Sequence, residues 1–257
     1  MRAIEIRAQG KSKGLKRIQA SFRKNKIHYF QEALGLGIFM ISACLFYALL
    51  YSPDSPFNQK IPDMQTKNLI MSFCMGSTAF FIFYSPFTAP SGSHINPAVT
   101  LSFLRLGKMD PWDSLFYIIF QILGGLIAVI LMAQILGPML TAAPVHYAVT
   151  IPGKYGKAAA AATEFLTALL MMSLVLFSSA NEKWKKYTRI LSAMLVGSYV
   201  LIAGPISGFG MNPARTIASA IPANIYTAIW IYLSMPLTGM LSAAEIYKAT
   251  LKRVPRS

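Results

Sequence analysis

Two decapeptides in this chain resemble each other, and both carry groups able to orient small polar molecules. Ser91-Gly92-Ser93-His94-Ile95-Asn96-Pro97-Ala98-Val99-Thr100 aligns with Ser207-Gly208-Phe209-Gly210-Met211-Asn212-Pro213-Ala214-Arg215-Thr216, and six of the ten positions are identical. In each, Asn precedes Pro. Asn is a preferred N-cap, and Pro suits the first helical position because its missing N–H would lack a partner there anyway. Each motif therefore starts a short helix, over residues 96–104 and 212–220. A helix start carries roughly half a positive charge, and the Asn side chain adds amide hydrogens. Arg215 places a fixed charge one turn further on. This chemistry polarises and aligns a neutral oxygen-bearing molecule; it does not break bonds. No nucleophile–base arrangement, paired metal-ligand set or phosphate loop is visible, and the three histidines, His28, His94 and His146, lie far apart. No enzymatic activity, metal or cofactor is expected.

The elements that must hold these motifs are apolar. Hydrophobic residues make up 54% of the 257 and charged ones only 13%, about half the usual charged share of a soluble domain. Six apolar stretches, at about 29–51, 69–89, 115–136, 158–180, 190–206 and 225–246, have the length a bilayer-spanning helix needs. Lipid offers no hydrogen bonds to an irregular backbone, so these stretches must be helices. Gly35, Gly37, Gly124, Gly125 and the alanines from Ala158 to Ala162 let such helices approach closely. The two Asn-Pro helices reach only about 13 Å, half a bilayer. The net charge of +15 does not indicate nucleic acid, because the cations lie at the chain ends and in the gaps between apolar runs. Cys44 and Cys74 fall inside apolar runs and read as small core hydrophobes, not as a disulfide framework.

Each Asn-Pro motif follows the second span of a three-span half. An odd number of spans turns the second half over, so the two short helices enter from opposite faces and meet near the midplane, as in inverted-repeat membrane proteins. The expected fold is thus an all-α membrane protein of six transmembrane helices plus two membrane-embedded half-helices. Its parts are a basic tail at 1–28, a first repeat at 29–136, a connecting loop at 137–157, a second repeat at 158–247 and a basic tail at 248–257. Nineteen of the 24 Lys and Arg residues fall on one side of this arrangement, which places both termini in the cytoplasm. Leu15, Ile18 and Phe22 share one face of the first tail, either as an interfacial helix on anionic lipid or within an unstructured segment that only sets topology. No cleavable leader is expected, since the first apolar run begins near Phe30 behind a basic stretch.

The paired Asn-Pro-Ala motifs between six spans resemble those of the aquaporin, or major intrinsic protein, family over about residues 29–248. Glu32, Gln121, Glu164, Arg215 and Pro236 agree with the same family. The resemblance implies a passive channel for water and small uncharged solutes that excludes ions and protons. Its partners would be those solutes, the bilayer and three further copies in a homotetramer, in the plasma membrane. It implies that Asn96-Pro97-Ala98 and Asn212-Pro213-Ala214 line the pore centre, with both Asn amides donating to single-file water. Counting back from each Asn as the family does, Gly76, Val200, Phe209 and Arg215 form the selectivity filter; a one-turn shift of the second span would put Phe73 in place of Gly76. His94 either lines the inner mouth or packs a loop. Glu32 and Glu164 read either as proton sites or as buried acceptors that hold the loops, and their recurrence in both halves favours support. Small filter residues and Phe209-Gly210-Met211 resemble glycerol-conducting members; Thr216, Ala220, Tyr232 and the short loops resemble water-conducting ones. Thr88-Ala89-Pro90 departs from the family pattern ahead of the first motif. Two alternatives stand beside the water channel: a glycerol or small-solute facilitator, and a structural membrane protein of the same fold with an occluded pore.

Overall fold

The structure is a computed structural model that describes the backbone of residues 2–253 and the side chains of residues 16–251. Its main helices are α1 (Arg2–Tyr51), α2 (Met64–Tyr84), α3 (Pro97–Arg105), α4 (Pro111–Leu136), α5 (Gly156–Ala180), α6 (Thr188–Ser207), α7 (Pro213–Ala223) and α8 (Ile229–Arg253). Four of them start as local chemistry dictates. Asp63 accepts from Thr66 N at 2.7 Å ahead of α2, and Asp110 accepts from Trp112 N at 2.8 Å ahead of Pro111. Asn96 and Asn212 do the same ahead of Pro97 and Pro213. By length and composition, α1 from Lys16, α4, α5, α6 and α8 can each cross a bilayer. The sixth long helix, α2, has 21 residues, about 31 Å at 1.5 Å per residue. It is less apolar because Gln65, Lys67 and Asn68 crowd its first turns. Lys67 is buried there and donates to Asn58 Oδ1. Outward faces carry exposed Phe73, Phe81, Leu131, Ile135, Met194 and Ile202, as lipid-facing surfaces should.

The two halves pack alike. Helix α1 lies along α4, and α5 along α8. A Cβ at Gly124 of α4 would collide with the backbone of Ala33, and a Cβ at Gly239 of α8 with that of Phe165. Each glycine thus lets two helices touch backbone to backbone at corresponding points of the two halves. Helices α2 and α6 meet across the middle, where Ser72 Oγ donates to Gly197 O at 2.7 Å. The half-helices cross over to the opposite repeat: α3 packs on α8, and α7 on α4.

Several boundaries differ from expectation: α2 begins and ends about five residues earlier, α4 begins at Pro111, and α8 runs over Ile229–Arg253. Helix α7 runs to Ala223 and contains Pro222. The basic tail is not separate from the first span, since α1 is continuous from Arg2. Phe22 packs against Tyr29, Phe116 and Phe120 at ring-centroid distances of 5.8, 5.2 and 6.3 Å. Ser21 donates to Asp113 Oδ1, and Asn25 donates to Asp113 Oδ2 at 2.9 Å. The described part of the tail is therefore docked on the start of α4; the side chain of Leu15 lies outside the described residues.

Gly124→Ala and Gly239→Ala should each destabilise the fold by about 1–3 kcal/mol, the usual cost of overpacking. Gly37→Ala should cost less, since its Cβ would stand 3.4 Å from Gly124 O. Thermal unfolding of the detergent-solubilised protein checks the ranking.

Candidate functional site

The segments leading into α3 and α7 share one backbone path. Gly92 and Gly208 have φ of 92° and 76°, Ser93 and Phe209 48° and 47°, and Ile95 and Met211 42° and 45°. A non-glycine residue in this left-handed region costs roughly 1–2 kcal/mol, so each segment needs outside support. Two fully buried carboxylates supply it. Glu32 of α1 accepts from Ser91 Oγ (2.6 Å), His94 N (2.9 Å) and Ile95 N (2.6 Å). Glu164 of α5 accepts from Ser207 Oγ (2.7 Å), Gly210 N (2.8 Å) and Met211 N (2.5 Å). Two phenols complete the correspondence: Tyr117 donates to Ser91 O at 2.8 Å and Tyr232 to Ser207 O at 2.7 Å. Both glutamates spend their oxygens on loop donors, which is the support reading of the sequence.

The caps then interlock. Asn96 Oδ1 accepts from Ala98 N at 2.9 Å, and its Nδ2 donates to Met211 O at 2.8 Å. Asn212 Oδ1 accepts from Ala214 N at 3.0 Å and Arg215 N at 3.2 Å, and its Nδ2 donates to Ile95 O at 2.6 Å. Each Asn thus caps its own helix and clasps the opposite loop. An amide carries two hydrogens, so one per Asn remains for the cavity that both residues line.

That cavity measures about 280 Å³. Of the residues the sequence singled out, Asn96, Asn212, His94, Val200, Phe209 and Arg215 line it. Arg215 is 4% exposed; its guanidinium has no hydrogen-bond or ion-pair partner among the described residues, and its Nη1 is buried without one. His94 stacks on Phe103 with centroids 4.8 Å apart and its Nδ1 lies 3.2 Å from Thr100 Oγ1. It also borders a second pocket with Asn25, Lys108, Asp113 and Tyr117, so it stands where the main cavity meets the α1 extension. Gln121 is buried behind the wall, its Nε2 donating to Glu32 Oε2 at 2.8 Å and to Thr100 Oγ1 at 3.2 Å. Pro97, Ala98, Pro213 and Ala214 are buried in the first turns of the half-helices.

Gly76 does not line the cavity, contrary to the filter count. It lies at the crossing with α6, where a Cβ would stand 3.3 Å from Gly197 Cα and 3.4 Å from Ala193 O. Phe73 does not replace it, since it is 76% exposed on the outer face. From α2 the lining comes instead through Met71, Met75 and Phe83. Sequence reasoning also missed Phe39, Ala43 and Tyr47 of α1. Their spacing of four was a signal, but a helix apolar all round does not distinguish a pore face from a lipid face.

Comparison with known proteins agrees with this geometry. The family model described as Major intrinsic protein matches residues 20–247. The chain is 34% identical over 160 residues to a probable aquaporin NIP-type of Nicotiana alata, covering 61% of this chain and 57% of that one. It is 35% identical over 170 residues to aquaporin NIP6-1 of Arabidopsis thaliana, covering 64% and 52%. The matched chain spans about half the length of these relatives. Among solved structures it is similar to the aquaglyceroporin of Plasmodium falciparum, with TM-score 0.68 and 18% identity over 88% of this chain and 96% of that one; at that identity the likeness is one of fold.

Glu32→Ala and Glu164→Ala should each leave three or more buried donors unpaired, at about 1–3 kcal/mol apiece. Both should abolish recovery of folded protein, while Glu32→Gln, which keeps one acceptor oxygen, should retain a folded fraction with a lowered melting temperature. Size-exclusion chromatography and thermal unfolding in detergent read both outcomes.

Proposed function

This chain belongs to the major intrinsic protein family, and on that premise we propose that it is a passive channel conducting water together with small uncharged solutes, and rejecting ions and protons. The observation that carries this reading is the reciprocal Asn96–Asn212 clasp at two facing helix starts, bordering a cavity with mostly apolar walls.

The clasp fixes each amide plane, so its remaining hydrogen is held without reorganisation. A water that accepts from both amides must turn both of its own hydrogens outward along the file. The chain of donors is then reversed at that point, which interrupts proton hopping. The positive ends of α3 and α7 oppose cations at the same place.

Arg215, Val200 and Phe209 are proposed as the outer filter, with Met71 and Met75 of α2 in place of Gly76. The unpartnered guanidinium offers donors to a passing oxygen and repels cations, and an intramembrane charge placed without an acid partner is a functional feature by default. The thioether, valine and phenylalanine walls suit the carbon skeleton of a solute such as glycerol better than a wholly polar filter would. That supports solute passage in addition to water. The distribution of Lys and Arg supports cytoplasmic termini, and family membership supports a homotetramer in the plasma membrane.

Stopped-flow light scattering on proteoliposomes tests the reading. An osmotic step should give water and glycerol fluxes well above those of empty vesicles, and fluxes equal to theirs would refute it. Arg215→Ala should raise cation or proton leak about tenfold, the effect of roughly 1.4 kcal/mol in barrier height, with water flux retained. A pH-sensitive dye inside the vesicles measures that leak.

A further inference from the structure

The outer cavity has a wall that the four filter positions do not describe. Phe39, Ala43 and Tyr47 follow one another at helical spacing on α1, and all three line the cavity. Tyr47 packs against the cluster of Ala43, Met71 and Met75, which Val200 also packs against. It packs as well against the cluster that contains Cys44 and Ala214, the residue preceding Arg215. Tyr47 therefore borders the same cavity as Val200 and Arg215.

Tyr47 is the tyrosine that lines this cavity, and its hydroxyl differs from the four that donate within the protein. Tyr29, Tyr51, Tyr117 and Tyr232 all donate to protein acceptors: Ser21 O and Asp113, Asn68, Ser91 O and Ser207 O respectively. The Tyr47 hydroxyl has no protein partner among the described residues, although the ring is half-buried against the cavity. The ring itself is steadied by Tyr51, with centroids 5.3 Å apart, and Tyr51 is tied to Asn68 Oδ1 at 2.8 Å. A positioned ring with a free hydroxyl on an otherwise apolar wall is what a site does when a ligand is to supply the missing partner.

We propose that Tyr47 is a specificity-determining residue of this channel, acting on small linear polyols. Its ring limits the width of the passage beside Met71 and Met75 of α2. Its hydroxyl and the Arg215 guanidinium replace water around successive hydroxyl groups of the solute, while the carbon chain slides along Val200 and Met75. This rests on the channel reading above. It adds α1 to the elements that select the solute.

The test compares wild type, Tyr47→Phe and Tyr47→Ala in proteoliposomes, with water, glycerol and the five-carbon polyol xylitol. Tyr47→Phe should lower glycerol flux about fivefold, the worth of one neutral hydrogen bond, with a smaller change in water flux. Tyr47→Ala should raise xylitol flux relative to glycerol on the order of tenfold, the discrimination a few carbons can provide in an apolar site. Wild type that conducts normally, together with unchanged flux ratios in both variants, would overturn the role of Tyr47 alone. Wild type without water or glycerol flux would overturn the channel reading and this proposal with it. Should Tyr47→Ala fail to fold, Tyr47→Trp replaces it: a larger ring must reduce glycerol flux more than water flux, and an equal reduction of both overturns the proposal.

Discussion

A backbone that is neither helix nor strand can sit at bilayer depth only if protein or water satisfies its N–H and C=O groups. This chain places two such segments there, each with left-handed residues at Ser93 and Ile95 or at Phe209 and Met211. The buried glutamates make that possible. Burying a carboxylate is expensive unless it is well hydrogen-bonded, and Glu32 and Glu164 each accept at least three hydrogen bonds from the segment they support. The carboxylate and the irregular loop each remove the other's penalty. Everything nearer the midplane follows: fixed loops fix Ile95 O and Met211 O, those carbonyls take one amide hydrogen from the opposite Asn, and the second hydrogen acquires a defined direction.

Correspondence between the halves also shows where they have diverged. At the places equivalent to His94, Val99 and Gln121, the second half has Gly210, Arg215 and Pro236. In the first half, His94, Thr100, Gln121 and Glu32 form one hydrogen-bonded group. In the second half, Thr216 Oγ1 and Arg215 Nη1 are buried without a partner among the described residues. The scaffold is duplicated while the groups facing the cavity differ. His94 is thus tied into a hydrogen-bonded group, whereas Arg215 faces the cavity without a side-chain partner among the described residues.

Much of the fold was legible in the sequence because two strong signals coincide. Long apolar runs in a weakly charged chain require helices, and the duplicated Asn-Pro start with an odd number of spans between the copies requires inversion. The Asn pair, Phe209 and Arg215 were legible as cavity-lining residues from the same motifs, since positions within three residues of a fixed helix start inherit its register; Val200 lines the cavity too, although it stands twelve residues before Asn212 in α6. The place of Gly76 was not legible. It lies twenty residues before Asn96 across a loop containing Pro86 and Pro90, and the register of α2 is set instead by its crossing with α6 at Gly197. The docking of the tail on α4 was likewise hidden. Ser21, Asn25 and Asp113 are ordinary polar residues until the helices align them.

The same helix-crossing logic explains why the cavity wall is apolar. Gly76 and Gly197 bring α2 and α6 into backbone contact and so turn the neighbouring residues of α2, Met71 and Met75, inward. Apolar walls bind a polar solute weakly and therefore do not trap it. Among the donors that interrupt them, those on Asn96, Asn212 and Arg215 are each anchored by a helix start or buried among packed side chains. Conduction needs sites attractive enough to replace lost hydration yet sparse enough to release. Thioether, valine and aromatic walls interrupted by anchored polar groups fit both demands of the channel proposed above, and the duplicated scaffold fixes where the Asn pair stands.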